Sequence, residues 1–238
     1  MVHGSPGAER TRSGRDLWLR WVLANLAGFA VGGAIAGEIA RAMGQSHYGV
    51  VTPTLDAALI ATRTAGVALA VWGAAAGAAQ WFVIRGELKG VRWWMPATCA
   101  GWALAGVVAG ILSGFMGGTV TGIGRDVGVW GFVIAAVVGT LALSVLPITF
   151  QWMVLRRQVD RAWRWLVGAA GAFLAATAVA AGVVRWFLVS VIGLLRPEDF
   201  PSAKAWVFFG TVVGLLYGAM TGVVLARLLD PDNADVPL

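Results

Sequence analysis

Cysteine and histidine are nearly absent from this chain. Cys99 stands alone, so no internal disulfide forms, and His3 and His47 are the two histidines. That supply rules out a Cys/His metal framework and paired haem ligation. Cys99 lies inside an apolar run and reads as a small packing residue. Charge is scarce too. Only 13% of the residues are charged, against about 25% in soluble domains. No Walker A loop, H-E-x-x-H helix or nucleophile elbow occurs. The stretch "GIGRDVG" at 122–128 lacks the strand–turn–helix setting of a phosphate loop and reads as a turn. No acid/base pair with catalytic spacing is found either. The expectation is therefore a non-enzyme without cofactor or metal.

Apolar residues make up 58% of the chain, and it holds 33 glycines and 13 tryptophans. The mean hydropathy is +0.76. Transmembrane helices tolerate glycine, and tryptophan concentrates at the membrane–water interface. The net charge is +6. The arginines are dispersed between long apolar runs, a pattern that sets membrane topology and draws anionic lipid rather than nucleic acid. Membrane lipids, and other membrane subunits, are the expected partners.

Crossing about 30 Å of hydrocarbon takes roughly 20 helical residues. Lipid cannot satisfy open backbone groups, so each crossing must be helical. Six segments qualify, near 18–42, 57–84, 93–116, 128–155, 165–192 and 205–229. The predicted fold class is all-α, a six-span transmembrane bundle. A basic arm at 1–17 and a polar tail at 230–238 flank it, both read as mobile. Arg10, Arg12, Arg15, Arg20, Arg85, Lys89, Arg92, Arg156, Arg157, Arg161, Arg164 and Arg227 fall on one side; Arg41, Arg63, Arg125, Arg185, Arg196 and Lys204 fall on the other. Twelve basic residues against six place both termini in the cytoplasm. The run "AIA" at 34–36 resembles a signal-cleavage site, but the repeat described next argues against cleavage.

"QWFVIRGELKGVRWW" at 80–94 returns 71 residues later as "QWMVLRRQVDRAWRW" at 151–165. "ANLAGFAVGGAIAG" at 24–37 returns as "ATCAGWALAGVVAG" at 97–110, an offset of 73, and an offset of 71 sets Phe173 under Trp102. "GAAAG" at 73–77 returns as "GAMTG" at 218–222, an offset of 145. Self-similarity at a fixed period takes priority over local readings. It predicts three tandem two-helix units in parallel orientation, near 18–84, 93–155 and 165–229, around an axis normal to the membrane. In the second unit "SVLPI" stands where the first has "GAAAG", which weakens strict symmetry. Pro147, inside the fourth span, predicts a kink or local loosening there.

In this scheme Gln80, Trp81, Arg85, Gln151, Trp152 and Arg156 are interface anchors where returning helices reach the headgroups. Trp93, Trp94, Trp163 and Trp165 mark where the next helices go back in. The two glutamines lie just inside, where an amide can bond a neighbouring helix; the alternative makes them part of a ligand site. Glycines four apart form stripes along one helix face: Gly106, Gly110, Gly114 and Gly118 in the third span, Gly210, Gly214, Gly218 and Gly222 in the sixth. Such stripes let backbones approach closely. Towards the opposite membrane face stand Glu38, Arg41, Arg63 and Arg185. They read either as a basic vestibule for an anionic ligand or as pairing and snorkelling charges. Asn25, Thr98, Ser113, Thr140, Ser144, Thr149, Thr177, Thr211, Tyr217 and Thr221 add polarity with no evident constellation.

The pattern GA-x2-G-x2-QW-x-V-[IL]-R, with the tryptophan-rich return, "GWALAG" and the closing "YGAMTGVVLARLL", resembles a group of uncharacterised bacterial multi-span membrane proteins. The likeness spans most of 20–229 and implies no assigned activity. Mitochondrial carriers share the three-pair plan, but their Pro-x-[Asp/Glu]-x-x-[Lys/Arg] motif is missing. A membrane scaffold or accessory subunit is the leading expectation. A small-molecule transporter or substrate-capturing subunit is the alternative, and a lipid-modifying enzyme lacks any nucleophile set.

Overall fold

A chain that carries this much apolar surface through lipid must satisfy its backbone hydrogen bonds within each segment, and helix does so. The computed structural model describes residues 6–45, 55–120, 128–186 and 203–229. They form α1 (Pro6–Gln45), α2 (Leu55–Ile84), α3 (Trp94–Val120), α4 (Gly128–Leu155), α5 (Trp163–Trp186) and α6 (Ala203–Leu229), with a 3-10 turn at Val91–Trp93 before α3. All six helices are long and apolar enough to cross a membrane. No strand occurs among the described residues.

The first helix is longer than its apolar stretch. It begins at Pro6, within the segment read from sequence as an arm. Proline suits a first helical position, since its missing N–H would lack a partner there anyway. Forty residues rise about 60 Å, so α1 outlasts the hydrocarbon. Residues 230–238 lie outside the described residues, as do 121–127 with Arg125, and 187–202 with Arg196. The fourth helix runs unbroken through Pro147. The ring of Pro147 packs against Gly101 of α3, where a Cβ would meet the proline backbone.

Each helix packs on its neighbours in chain order, and α6 returns to pack on α1. The six therefore close a ring. Its outer face is apolar: Leu19, Leu23, Val31 and Ile35 on α1 and Val137, Leu141 and Val145 on α4 are exposed. Outward apolar stripes of this length would be a liability in water and are the contact surface for lipid.

Two bends, 85–90 and 156–162, return the chain at one end of the ring. They are one turn repeated. The amides of Arg85 and Arg156 donate to the carbonyls of Trp81 (3.0 Å) and Trp152 (2.8 Å). Those of Glu87 and Gln158 donate to Ile84 (3.0 Å) and Leu155 (2.9 Å), and those of Leu88 and Val159 to the same two carbonyls, both at 2.9 Å. Each bend then passes through one left-handed residue, Gly90 (φ 84°) or Arg161 (φ 58°).

Candidate functional site

The centre of the ring is built from side chains that the repeat offsets bring into register. Trp21, Trp94 and Trp165 stand in α1, α3 and α5 at offsets of 73 and 71. Their rings meet edge-to-face as a triangle with centroids 6.2, 5.8 and 5.9 Å apart, and all three are fully buried. Edge-to-face packing sets the positive rim of one ring against the negative face of the next. Eight residues further along each helix stand Phe29, Trp102 and Phe173. Trp102 lies 6.0 Å from Phe29 and 5.5 Å from Phe173. Even-numbered helices complete this layer: Trp72 stacks on Trp102 at 6.1 Å, and Tyr217 packs on Phe29 (5.7 Å) and Phe173 (5.8 Å). Trp72 and Tyr217 are 145 residues apart, and Leu143 occupies the matching place in α4.

Between the two aromatic layers lies a chain of amides. The side-chain amide of Gln151 donates to Gln80 Oε1 and Thr98 Oγ1, both at 3.1 Å. Gln80 donates to Asn25 Oδ1 at 2.8 Å, and Asn25 donates to the Trp21 carbonyl at 2.9 Å. Thr98 turns its hydroxyl onto the Trp94 carbonyl at 2.9 Å. The indoles join in cyclic order. Trp21 Nε1 donates to Thr221 Oγ1 (2.9 Å), and Trp94 Nε1 to Gln80 Oε1 (3.0 Å). The third bond of the cycle would run from Trp165 to Gln151, but Trp165 Nε1 and Gln151 Oε1 are buried without a partner. In α6 the residue 145 places after Gln80 is not a glutamine but the buried Leu225.

A cavity of about 10 Å³ adjoins this layer, lined by Gln80, Gln151, Leu143, Pro147, Tyr217 and the aromatic layer. That is about the space of one water. It opens where Leu143 is smaller than its counterparts Trp72 and Tyr217.

The sequence-predicted anchors divide accordingly. Trp81 and Trp152 are half-buried, and the exposed Arg85 and Arg156 guanidinium groups lie 4.8 and 5.0 Å from their ring centres. Gln80 and Gln151 face inward, 1% and 2% exposed. Of the four tryptophans read as interface markers, Trp93 and Trp163 are exposed, whereas Trp94 and Trp165 are fully buried. The cause is helical register. Neighbouring residues point about 100° apart on a helix, so each Trp pair or Trp-x-Trp set sends one ring outward and one inward. Of the scattered polar residues, Asn25, Thr98 and Thr221 meet in one layer. The available signal was the offset of 73 between Asn25 and Thr98, positions at which both residues are polar.

The glycines serve close contacts. A Cβ on Gly106 or Gly110 of α3 would run into the α2 backbone at Ala65 or Thr62. One on Gly210 of α6 would strike the Phe29 carbonyl. On Gly214 it would lie 2.6 Å from the Asn25 carbonyl, on Gly218 2.8 Å from Asn25 Cβ, and on Gly222 2.8 Å from the Trp18 ring. Gly114 and Gly118 lie in α3, outside the residues whose surroundings are described. In α2, a Cβ on Gly73 would lie 2.6 Å from Trp102 Cβ, and one on Gly77 2.9 Å from Thr98 Cβ. The bulky central residues of α3 thus seat in hollows that glycine leaves in α2.

At the other end of the ring, Glu38 and Arg41 pair on the surface of α1 at 2.8 and 2.6 Å. Arg63 is exposed on α2, and no ion pair joins it to Glu38 among the described residues. Arg185 lies in α5, its side chain outside the described set. No cluster of three or more His, Cys, Asp or Glu occurs among the described residues.

Comparison of the chain with protein-family models, curated proteins and solved structures finds no match. What the chain is rests on its six helices: it is a multi-pass integral membrane protein.

Proposed function

We propose that this protein is a non-catalytic membrane scaffold or accessory subunit. It would consist of three helical pairs around one axis, set in a bacterial cytoplasmic membrane with both termini and both basic bends on the inner side. One observation carries the reading: the described residues fill the ring's centre. Two aromatic layers and the amide chain occupy it, and the cavity between them has room for about one water. A solute pathway along the axis would have to dismantle both layers. A packed bundle whose described outer face is mostly apolar suits a part that others pack against.

The transport reading places an anionic ligand on Glu38, Arg41, Arg63 and Arg185. The Glu38–Arg41 pair already satisfies its own charges at the surface, which supports a structural role for it. Crosslinking in native membranes, followed by mass spectrometry, tests the proposal. The expected result is a second membrane protein at fixed stoichiometry. Purified protein in proteoliposomes that accumulates a small anion, with the uptake abolished by Arg63→Leu, would overturn it.

A further inference from the structure

At the bend end of the ring, Gly90 lies against the side chain of Gln158, 3.7 Å from where its Cβ would be, so the two bends touch. Between them they hold Arg85, Lys89, Arg156, Arg157 and Arg161 against Glu87 and Asp160, five basic residues less two acidic, or +3, and Arg92 and Arg164 follow within two residues of the bends. Arg20 of α1 takes up Glu87 at 3.7 Å. Topology alone would be served by a positive charge anywhere in these loops. The placement here is narrower than that. Arg85 and Arg156 are held over indole rings, an arrangement that fixes the guanidinium plane and leaves its edge free to donate. Arg161 occupies the left-handed position that the first bend fills with glycine. A non-glycine residue is strained there, and residues held in such a conformation cluster at ligand clamps and switch regions.

We propose that the paired bends form a binding site for a phosphate-diester anion, and that its natural source is the headgroup of an anionic phospholipid. The phosphate sits over the second bend, with Arg156 and Arg161 donating and the first bend adding its field. Guanidinium forks suit phosphate oxygens at this depth. The α4–α5 seam above the bend is the least closely packed in the ring, and it is where the acyl chains run. The proposal goes beyond the scaffold reading and needs only that the chain lies in a membrane.

Native mass spectrometry of the full chain, released from micelles doped with equal phosphatidylglycerol and phosphatidylcholine, tests it. Phosphatidylglycerol adducts are expected to predominate. Arg161→Gly, which relaxes the bend and so keeps the fold, is expected to lower that preference about fivefold, as is Arg156→Gln; this is the equivalent of one surface arginine's attraction to anionic headgroups. Equal retention of the two lipids, or an unchanged preference in both variants, overturns the proposal. Displacement of phosphatidylglycerol by millimolar inorganic phosphate assigns the site to a free phosphate and overturns the lipid assignment.

Discussion

Gln80 and Gln151 open the same repeated phrase, yet the structure gives them unequal work. Gln80 is bonded at both ends. Its Nε2 donates to Asn25, and its Oε1 accepts from Trp94 and from Gln151. Leucine at position 80 removes all three bonds and leaves Asn25 Oδ1 and Trp94 Nε1 buried without partners. Polar contacts between membrane helices contribute about 0.6 kcal/mol on average and up to about 1.7, so Gln80→Leu is expected to cost about 2–4 kcal/mol. Gln151→Leu also removes two bonds, but Gln80 Oε1 keeps Trp94, and Thr98 keeps the Trp94 carbonyl. It also deletes an acceptor that already lacks a partner, and relief of such a group offsets about 1–3 kcal/mol. The net for Gln151→Leu is expected within about 1 kcal/mol of zero. Reversible unfolding in mixed micelles, titrated with SDS and followed by circular dichroism, measures both. Equal losses, or a larger loss for Gln151→Leu, would refute the unequal roles assigned to the pair.

Gly110→Ala drives a Cβ into the Thr62 backbone and is expected to lose about 3 kcal/mol or more in the same titration. Gly171→Ala meets nothing within 4 Å and is expected to be neutral, or to gain up to about 1 kcal/mol from helix propensity. Thr221→Val removes the acceptor of the Trp21 indole and is expected to cost about 1–2 kcal/mol, with near-ultraviolet circular dichroism reporting the loosened tryptophan layer. At the bends, Arg161→Gly is expected to gain about 1 kcal/mol and Gly90→Ala to lose about as much, because both act on the left-handed position.

The membrane class and six helices were legible from composition and run length, because bilayer thickness and backbone hydrogen bonding leave few alternatives; the start of α1 at Pro6, ahead of its apolar run, was not. So was the resemblance between the two bends, since "QW-x-V-[IL]-R" is written out twice. Which member of each aromatic set turns inward was not legible. Trp93 and Trp94 are neighbours of one kind, and a shift of one residue in helix phase exchanges their fates. The amide layer stayed hidden for a related reason. Asn25, Gln80, Thr98, Gln151 and Thr221 come from five different helices, so no local spacing links them.

What the sequence by itself determined is therefore the material: apolar helices of membrane length, glycine where backbones must touch, arginine at the bends. Local hydrogen bonding and hydropathy decide those features within a single helix. Only the tertiary structure decided that Trp21, Trp94 and Trp165 form one triangle, that glutamines near the helix ends become a buried chain, and that Trp165 and Gln151 are left unbonded. Those outcomes depend on the relative rotation and depth of six helices packed in a ring, and no one helix carries that information.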